Sequence, residues 1–264
     1  MKVVRSVVEL RAVLGPDRGR EIGLVPTMGA LHDGHRSLMN AARMANEVVV
    51  VSLFVNPAQF GRGEDLDAYP RDEAHDVAFA EAAEVDLMFA PSVEEIYPDG
   101  FDTWVEPGKI ATYLEGAARP GHFRGVATVC TKLFHLVAPT RAYFGRKDAQ
   151  QLAVVKKLVR DLALPIEIVA CPTVRDADGL ALSSRNVFLS PAEREVALAL
   201  PRALQAGLAA HRAGEDAVRA AREMLDAERG LRVEYVAEAD LDGPTLAAAV
   251  MVGSTRLIDN VPLD

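Results

Sequence analysis

Cysteine is nearly missing from this chain: Cys130 and Cys171 are the only two in 264 residues. That is too few for a disulfide framework and is in keeping with a reducing compartment. Positive charge is also in short supply, 29 Lys and Arg against 38 Asp and Glu for a formal net charge of -9. Such a balance argues against nucleic acid as a partner, because phosphate contacts need clustered cations. A local basic pocket remains compatible with it. Long apolar runs are absent too. The longest, around Val48 to Val55, is strand length, far below the roughly 20 residues that cross a bilayer. The N-terminal MKVVRSVVELRAVLG is interrupted by Arg5, Glu9 and Arg11 and lacks the apolar core of a signal peptide. These absences lead us to expect a cytoplasmic protein that neither spans a membrane nor binds nucleic acid. There is no internal repeat or low-complexity tract, and neither a P-loop nor a GxGxxG fingerprint.

What is present is a chain that is 50% hydrophobic, enough for one large domain or one domain with a smaller companion. Short β-branched runs alternate with segments of helical period, the pattern of βαβ units around a parallel sheet. Glu21–Pro26 reads as the first core strand, followed by a helix from Gly34 to about Asn46 and a strand at Glu47–Phe54. The alternation continues with a helix from near Arg71, a strand at Val85, a long helix after Gly121, a strand at Arg141, a helix after Asp148 and a strand at Ile166. A doubly wound, Rossmann-like α/β fold is expected over residues 1–173. Cys130 falls on the apolar stripe of the helix after Gly121, where core packing is its expected task. Past Arg175–Asn186 the composition shifts to Ala, Arg and Glu. Residues 174–264 read as a small α+β domain: helices over Pro191–Arg212 and Glu215–Glu228, then strands at Arg232–Val236, Ala248–Val252 and Thr255–Ile258.

Four clusters could carry chemistry. In VPTMGALHDGHRSL, Val25–Leu38, a strand gives way to a helix, and exposed N–H groups with the helix dipole make an anion site. His32 and His35 can both point at that anion as donors; capping of the helix and metal ligation are the competing readings. A strand, H-x-x-H and helix start in an α/β chain resembles the HIGH-type signature of the nucleotidyltransferase superfamily, which favours ATP. In FGRKDAQQ, Phe144–Gln151, Lys147 could neutralise phosphate while Asp148 caps the helix or binds ribose or adenine. SSRN, Ser183–Asn186, offers hydroxyls and a guanidinium on a loop that is either a polar linker or a phosphate clamp. Gln59 in FVNPAQFG follows the second core strand at the ligand-binding edge of an open sheet. Paired with Gln151 it would suit a neutral polyol, since an amide both donates and accepts.

The blocks PTMGALHDGH, FVNPAQFG, YPRD, RPGHFRGV, FGRKDAQQ and SSRN, in this order and spacing, resemble the pantoate–β-alanine ligase (pantothenate synthetase) family. That resemblance implies condensation of (R)-pantoate with β-alanine, driven by cleavage of ATP to AMP and pyrophosphate with Mg²⁺, through a pantoyl adenylate in a cytoplasmic homodimer. It implies that Met28, Gly29, Ala30, Leu31, His32, Asp33, Gly34 and His35 contact ATP, with His35 as acid. It further implies that Gly145, Arg146, Lys147, Asp148, Val174, Leu182, Ser183, Ser184 and Arg185 complete the ATP site. His32, Lys147 and Arg185 join His35 in neutralising charge. Gln59 and Gln151 would hold pantoate, Gln59 lying near β-alanine as well, and the small domain would close over the site. Asp72 and Asp76 both follow YPR as candidates for the acid that holds Mg²⁺, with Asp76 the one assigned. Leu182 stands where the family commonly has Met, a volume-conserving exchange. Two other classes fit parts of the pattern: a cytidylyltransferase, which would not release AMP, and a non-catalytic nucleotide sensor, which would not need paired glutamines.

Overall fold

The polypeptide begins with an edge strand and helix that the sequence reading passes over. In the computed structural model, which describes residues 1–17, 19–61 and 63–264, β1 is Lys2–Val4 and α1 is Val7–Leu14. Ser6 starts that helix as half of a capping box with Glu9, so two N–H groups that the first turn leaves without partners are satisfied reciprocally. Then follow β2 (Ile22–Thr27), α2 (Asp33–Ala45), β3 (Val48–Leu53), α3 (Glu73–Ala82) and β4 (Leu87–Phe89). After two single-turn helices, α4 (Val93–Ile96) and α5 (Glu115–Ala118), come α6 (His122–Val137), β5 (Arg141–Gly145), α7 (Ala149–Asp161) and β6 (Glu167–Cys171).

These strands form a six-stranded sheet in the order β1-β4-β3-β2-β5-β6, parallel throughout. The Rossmann-like doubly wound expectation is met. Because β2 pairs with both β3 and β5, the chain reverses its direction of winding there, and open α/β sheets take ligands outside the carboxyl ends of strands at such a switch point. One face buries Val25, Val49, Val51 and Met88 against Leu38, Met39 and Ala42 of α2 and Ala80 of α3. The alternating residues point the other way, where α6 packs on β2. Cys130 lies in that helix, 4% exposed, with burial pushing its thiol up to about 12; it is a core residue, as expected.

The remainder comprises α8 (Pro191–Ala197), α9 (Ala199–Arg212), α10 (Ala217–Ala227) and an antiparallel sheet, β7 (Leu231–Asp240), β8 (Pro244–Val252) and β9 (Thr255–Pro262), in sequence order. The single helix expected over Pro191–Arg212 is interrupted at Leu198 because Pro201 has no N–H to give the carbonyl of Ala197. The chain divides into two compact units, Met1–Gly145 with Ala153–Cys171, and Arg146–Leu152 with Pro172–Asp264. The boundary read from sequence lies two residues later than the one in the structure, and one segment of the larger span, Arg146–Leu152, groups with the smaller unit. Its ties there are an Arg146–Asp242 ion pair at 3.2 Å and two hydrogen bonds from Asn260.

In the smaller unit, Leu200, Ala203 and Leu204 of α9 pack with Ala217, Ala221 and Leu225 of α10 and with Leu246 and Val250 of β8. Gly207 permits that approach, since a Cβ there would lie 2.4 Å from Leu246 Cδ2 and 2.8 Å from the Ala217 carbonyl oxygen. Gly207→Ala gains about 1 kcal/mol of helix propensity but overpacks the crossing at a cost of about 1–3 kcal/mol. We therefore expect a lower denaturation midpoint. An unchanged or raised midpoint in urea unfolding would show that the crossing has slack.

Candidate active site

The loop that leaves β2 is built around one carboxylate. Asp76, 1% exposed on α3, accepts the N–H of Ala30 at 3.0 Å with Oδ2 and that of Leu31 at 2.7 Å with Oδ1. The backbone must double back to present both donors, and Gly29 (φ 85°) and Ala30 (φ 51°) take left-handed conformations to do so. Gly29 is also required by space, because a Cβ would sit 2.8 Å from Asp76 Oδ2 and from Leu53 Cδ1. Asp76 thus has a structural task that sequence spacing does not reveal.

The loop ends in a helix start capped by two histidines. His32 Nδ1 accepts the Gly34 N–H at 3.1 Å, and His35 Nδ1 accepts the His32 N–H at 3.3 Å. Their rings lie 4.2 Å apart between centroids. A ring nitrogen that accepts carries no proton, so both imidazoles are neutral with hydrogen on Nε2. The capping reading and the functional reading of these residues are therefore one arrangement. Capping at Nδ1 sets each ring as an Nε2–H donor at the positive end of α2.

Gln59 ends a short helical turn, Pro57–Gln59, after β3. Its Nε2 donates to Met28 Sδ at 2.9 Å and its Oε1 accepts from Asn56 Nδ2 at 3.1 Å, so the structure brings the Met28 loop and Gln59 together. What holds this turn is the RPGHFRGV block, to which sequence reasoning gave no role. At Gly125 a Cβ would fall 2.3 Å from the Ala58 carbonyl oxygen, and only glycine lets α6 approach so closely. His122 Nδ1 bonds to the Gln59 carbonyl at 2.8 Å, and Arg119 donates to the same oxygen at 3.2 Å. Arg119 also pairs with Glu64 at 2.6 Å and faces His122 Nε2 at 3.2 Å. The guanidinium can only donate, so His122 Nε2 accepts and Nδ1–H donates. Burial, then the Arg119 charge, holds His122 down to about 4. Burial raises the Glu64 carboxyl, but Arg119 outweighs it and the net shift is downward. Tyr97 completes the support by donating to Asn56 Oδ1 at 2.9 Å. A cavity of about 500 Å³ opens over the ends of β1, β4 and β3 beside Met28 and Asp76, with the Arg5–Glu73 ion pair in its wall.

The smaller unit carries the remaining candidates except Gly145, which ends β5 in the larger one. Lys147, 19% exposed, has Nζ 3.4 Å from Asp148 Oδ1 in the turn that follows β5. Gln151, half-buried, lies in the first turns of α7. Leu182 donates its N–H to the Val174 carbonyl at 3.0 Å, closing a hairpin that leads into Ser183–Arg185. Ser183 caps the short helix there through the Arg185 N–H at 3.3 Å. Thus Met28–His35, Gln59 and Asp76 gather in the larger unit, and Lys147, Asp148, Gln151 and Val174–Arg185 belong to the smaller one. Among the described residues no helix is long and apolar enough to cross a membrane.

Parallel strands with functional loops at their carboxyl ends, a histidine-capped helix start and a supported amide beside it define an α/β enzyme of the ligand-at-switch-point class. Residues 2–262 match the family model for pantoate-beta-alanine ligase. The chain is 54% identical to the pantothenate synthetase of Roseiflexus castenholzii, with 100% of both chains covered, and 50% identical to that of Moorella thermoacetica, covering 100% of this chain and 99% of the other. Among solved structures, pantothenate synthetase from Thermus thermophilus superposes with a TM-score of 0.95 at 49% identity, covering 100% of this chain and 99% of that one. The pantoate-beta-alanine ligase of Francisella tularensis, solved with beta-gamma ATP and beta-alanine, gives 0.86 at 35%, covering 100% and 98%. This chain belongs to the pantoate–β-alanine ligase family; it is a ligase, and its reaction forms pantothenate.

The supports beneath the site can be tested separately. Asp76→Ala strands two buried N–H groups that had a charged acceptor, each worth about 1.5–3 kcal/mol. Urea unfolding of the ligand-free protein should register a loss of about 3 kcal/mol or more; a residue serving only as a metal ligand would leave that value unchanged. For His122, folded near 4 against an ordinary 6.5, the unfolded chain binds the extra proton between those values. Its contribution is complete above pH 6.5 and is lost as pH falls toward 4. His122→Gln should flatten the pH dependence of stability between about 6.5 and 5, and a slope identical to the unmodified protein's would rule His122 out as its source.

Proposed function

We propose that this enzyme drives the ligation with ATP in two chemical steps through a pantoyl adenylate. In the first, a pantoate carboxylate oxygen attacks the α-phosphorus, the bond to the bridging oxygen breaks and pyrophosphate leaves. In the second, the β-alanine nitrogen attacks the activated carbonyl carbon, the carbon–oxygen bond to AMP breaks, and the nitrogen gives up its proton. The observation that carries this reading is the pair of neutral histidines at the start of α2, whose Nδ1 atoms are engaged by backbone N–H groups. Their Nε2–H donors suit phosphate oxygens on which charge builds as pyrophosphate departs. Lys147 and Arg185 add full positive charge, and Ser183 and Ser184 add hydroxyls. Gln59 and Gln151 are assigned to the pantoate hydroxyls, with Gln59 near β-alanine. The amine needs positioning more than a dedicated base. The adenylate hydrolyses readily, so water must be excluded until the amine arrives, and the Ser183–Asn186 segment is the proposed cover.

Mg²⁺ enters this reading as the counter-ion of ATP. Asp76 has both oxygens engaged by backbone N–H groups, and among the described residues no group of three or more His, Cys, Asp or Glu is placed to hold a metal. The donor set therefore does not fit a resident ion. Mg²⁺ ordinarily keeps phosphate and water ligands with few protein ones, and no step above is routed through it. A cytoplasmic homodimer belongs to the same reading.

With β-alanine omitted, the enzyme should catalyse pantoate-dependent exchange of labelled pyrophosphate into ATP, since the first step can reverse without the second. Lys147→Ala should depress exchange at least about a hundredfold with little change in thermal stability, its side chain serving charge and not packing. Absence of exchange in an enzyme with verified turnover, or release of ADP in place of AMP, would overturn the adenylate pathway.

A further inference from the structure

Two adjacent residues of β9 tie together the segments of the smaller unit to which phosphate contacts are assigned. Asn260, 8% exposed, donates from Nδ2 to the carbonyl oxygens of Arg146 and Lys147, both at 2.9 Å. An amide nitrogen has two hydrogens, so both are committed to the backbone of one turn. Asp259, 2% exposed, accepts Arg175 in a two-pronged pair at 2.6 and 3.0 Å and takes the Asn260 N–H at 2.8 Å. Arg175 in turn donates to the Gly179 carbonyl at 3.2 Å, which closes the Val174–Leu182 hairpin leading to Ser183–Arg185. One dipeptide thus anchors the backbone beneath Lys147 and the root of the segment bearing Arg185. Lysine and arginine side chains are long and rotamer-rich, so their ability to meet a phosphate at a set place depends on the main chain being held. Neither side chain is needed to hold β9 in its sheet, where its ladder with β8 runs over Thr255–Pro262.

We propose that Asn260 and Asp259 are positioning residues for the nucleotide phosphates, acting through Lys147 and the Ser183–Arg185 segment without touching substrate. This rests on the assignment of those segments to ATP under the proposed function. It gives the TRLIDN block, Thr255–Asn260, a task in the reaction beyond closing the small sheet.

The test compares Asn260→Ala, Lys147→Ala and the double variant, with Arg256→Ala as a control on the same strand, where Arg256 pairs with Glu234 at 2.7 Å. Equilibrium ATP binding, pyrophosphate exchange and the KM for β-alanine are measured for each. Asn260→Ala should weaken ATP binding and exchange by about tenfold or more while KM for β-alanine stays within about twofold, and Arg256→Ala should leave all three unchanged. In the Lys147→Ala background the effect of Asn260→Ala on exchange should shrink, because residues acting through one another are not additive. Full additivity, equal damage from Arg256→Ala, or an intact Asn260→Ala beside an impaired Lys147→Ala would overturn the brace. An intact Lys147→Ala would instead sink the ATP assignment itself. Should Asn260→Ala fail to fold, Asn260→Ser, whose hydroxyl ends one bond short of Nδ2 and so no longer reaches both carbonyls, should give the same pattern, and a normal ATP affinity in that variant would count against the proposal.

Discussion

The histidine-bearing loop of the larger unit hangs on a buried carboxylate meeting two backbone N–H groups. The loop after β2 has to turn sharply enough to put a helix start at the sheet's edge, and a turn of that kind leaves donors pointing inward. Asp76 takes two of them at 3.0 and 2.7 Å. Left without a partner in the interior, each would cost about 1–3 kcal/mol. The left-handed Gly29 and Ala30 are tolerated because this contact over-determines them. Once the loop is held, the two histidines at its end cap the helix through Nδ1 and are left with hydrogen on Nε2. Protonation state, ring orientation and helix start are consequences of one arrangement.

The smaller unit solves the mirror problem. There the groups that need partners are carbonyl oxygens, those of Arg146 and Lys147, and the partner is the amide of Asn260. A carboxylate would serve there badly, having no hydrogen to give, just as an amide would serve poorly beneath the β2 loop, where one nitrogen would face an N–H. Asp259 beside it is almost wholly buried yet retains Arg175 as a two-pronged partner, the condition under which a buried charge is tolerated. The same logic holds in the Gln59 turn, where His122 is kept neutral so that it can donate at Nδ1 and accept at Nε2.

Much of this was legible in the sequence. The Val-rich run at Val48 had to be a strand covered on both faces, and RAYFG coincides with β5. The histidine pair, Gly29, Gln59 and Lys147 stood out because strand-to-helix junctions are where backbone donors and ligands meet. The first strand left no readable signal because Lys2–Val4 has only three residues, too few to set up a pattern, whereas the helix after it carries the Ser6–Glu9 capping box, a helix-start signature that the sequence reading passes over. The break at Leu198 was visible in Pro201 but outweighed by the long run of helix formers around it.

The sequence by itself determined the alternation of elements, the parallel sheet and the chemical character of the loops, because those follow from periodicity and residue type over a few neighbours. Tertiary structure alone decided which groups those loops lean on. Asp76 meets Ala30 and Leu31 across 46 and 45 positions, His122 meets Gln59 across 63, and Asn260 meets Arg146 across 114. Such partnerships leave no local signature, since a carboxylate on an amphipathic helix reads the same whether it faces water or a buried N–H. Whether it becomes a ligand or a brace depends on what the fold carries to within 3 Å of it, and that is set by the packing of distant segments.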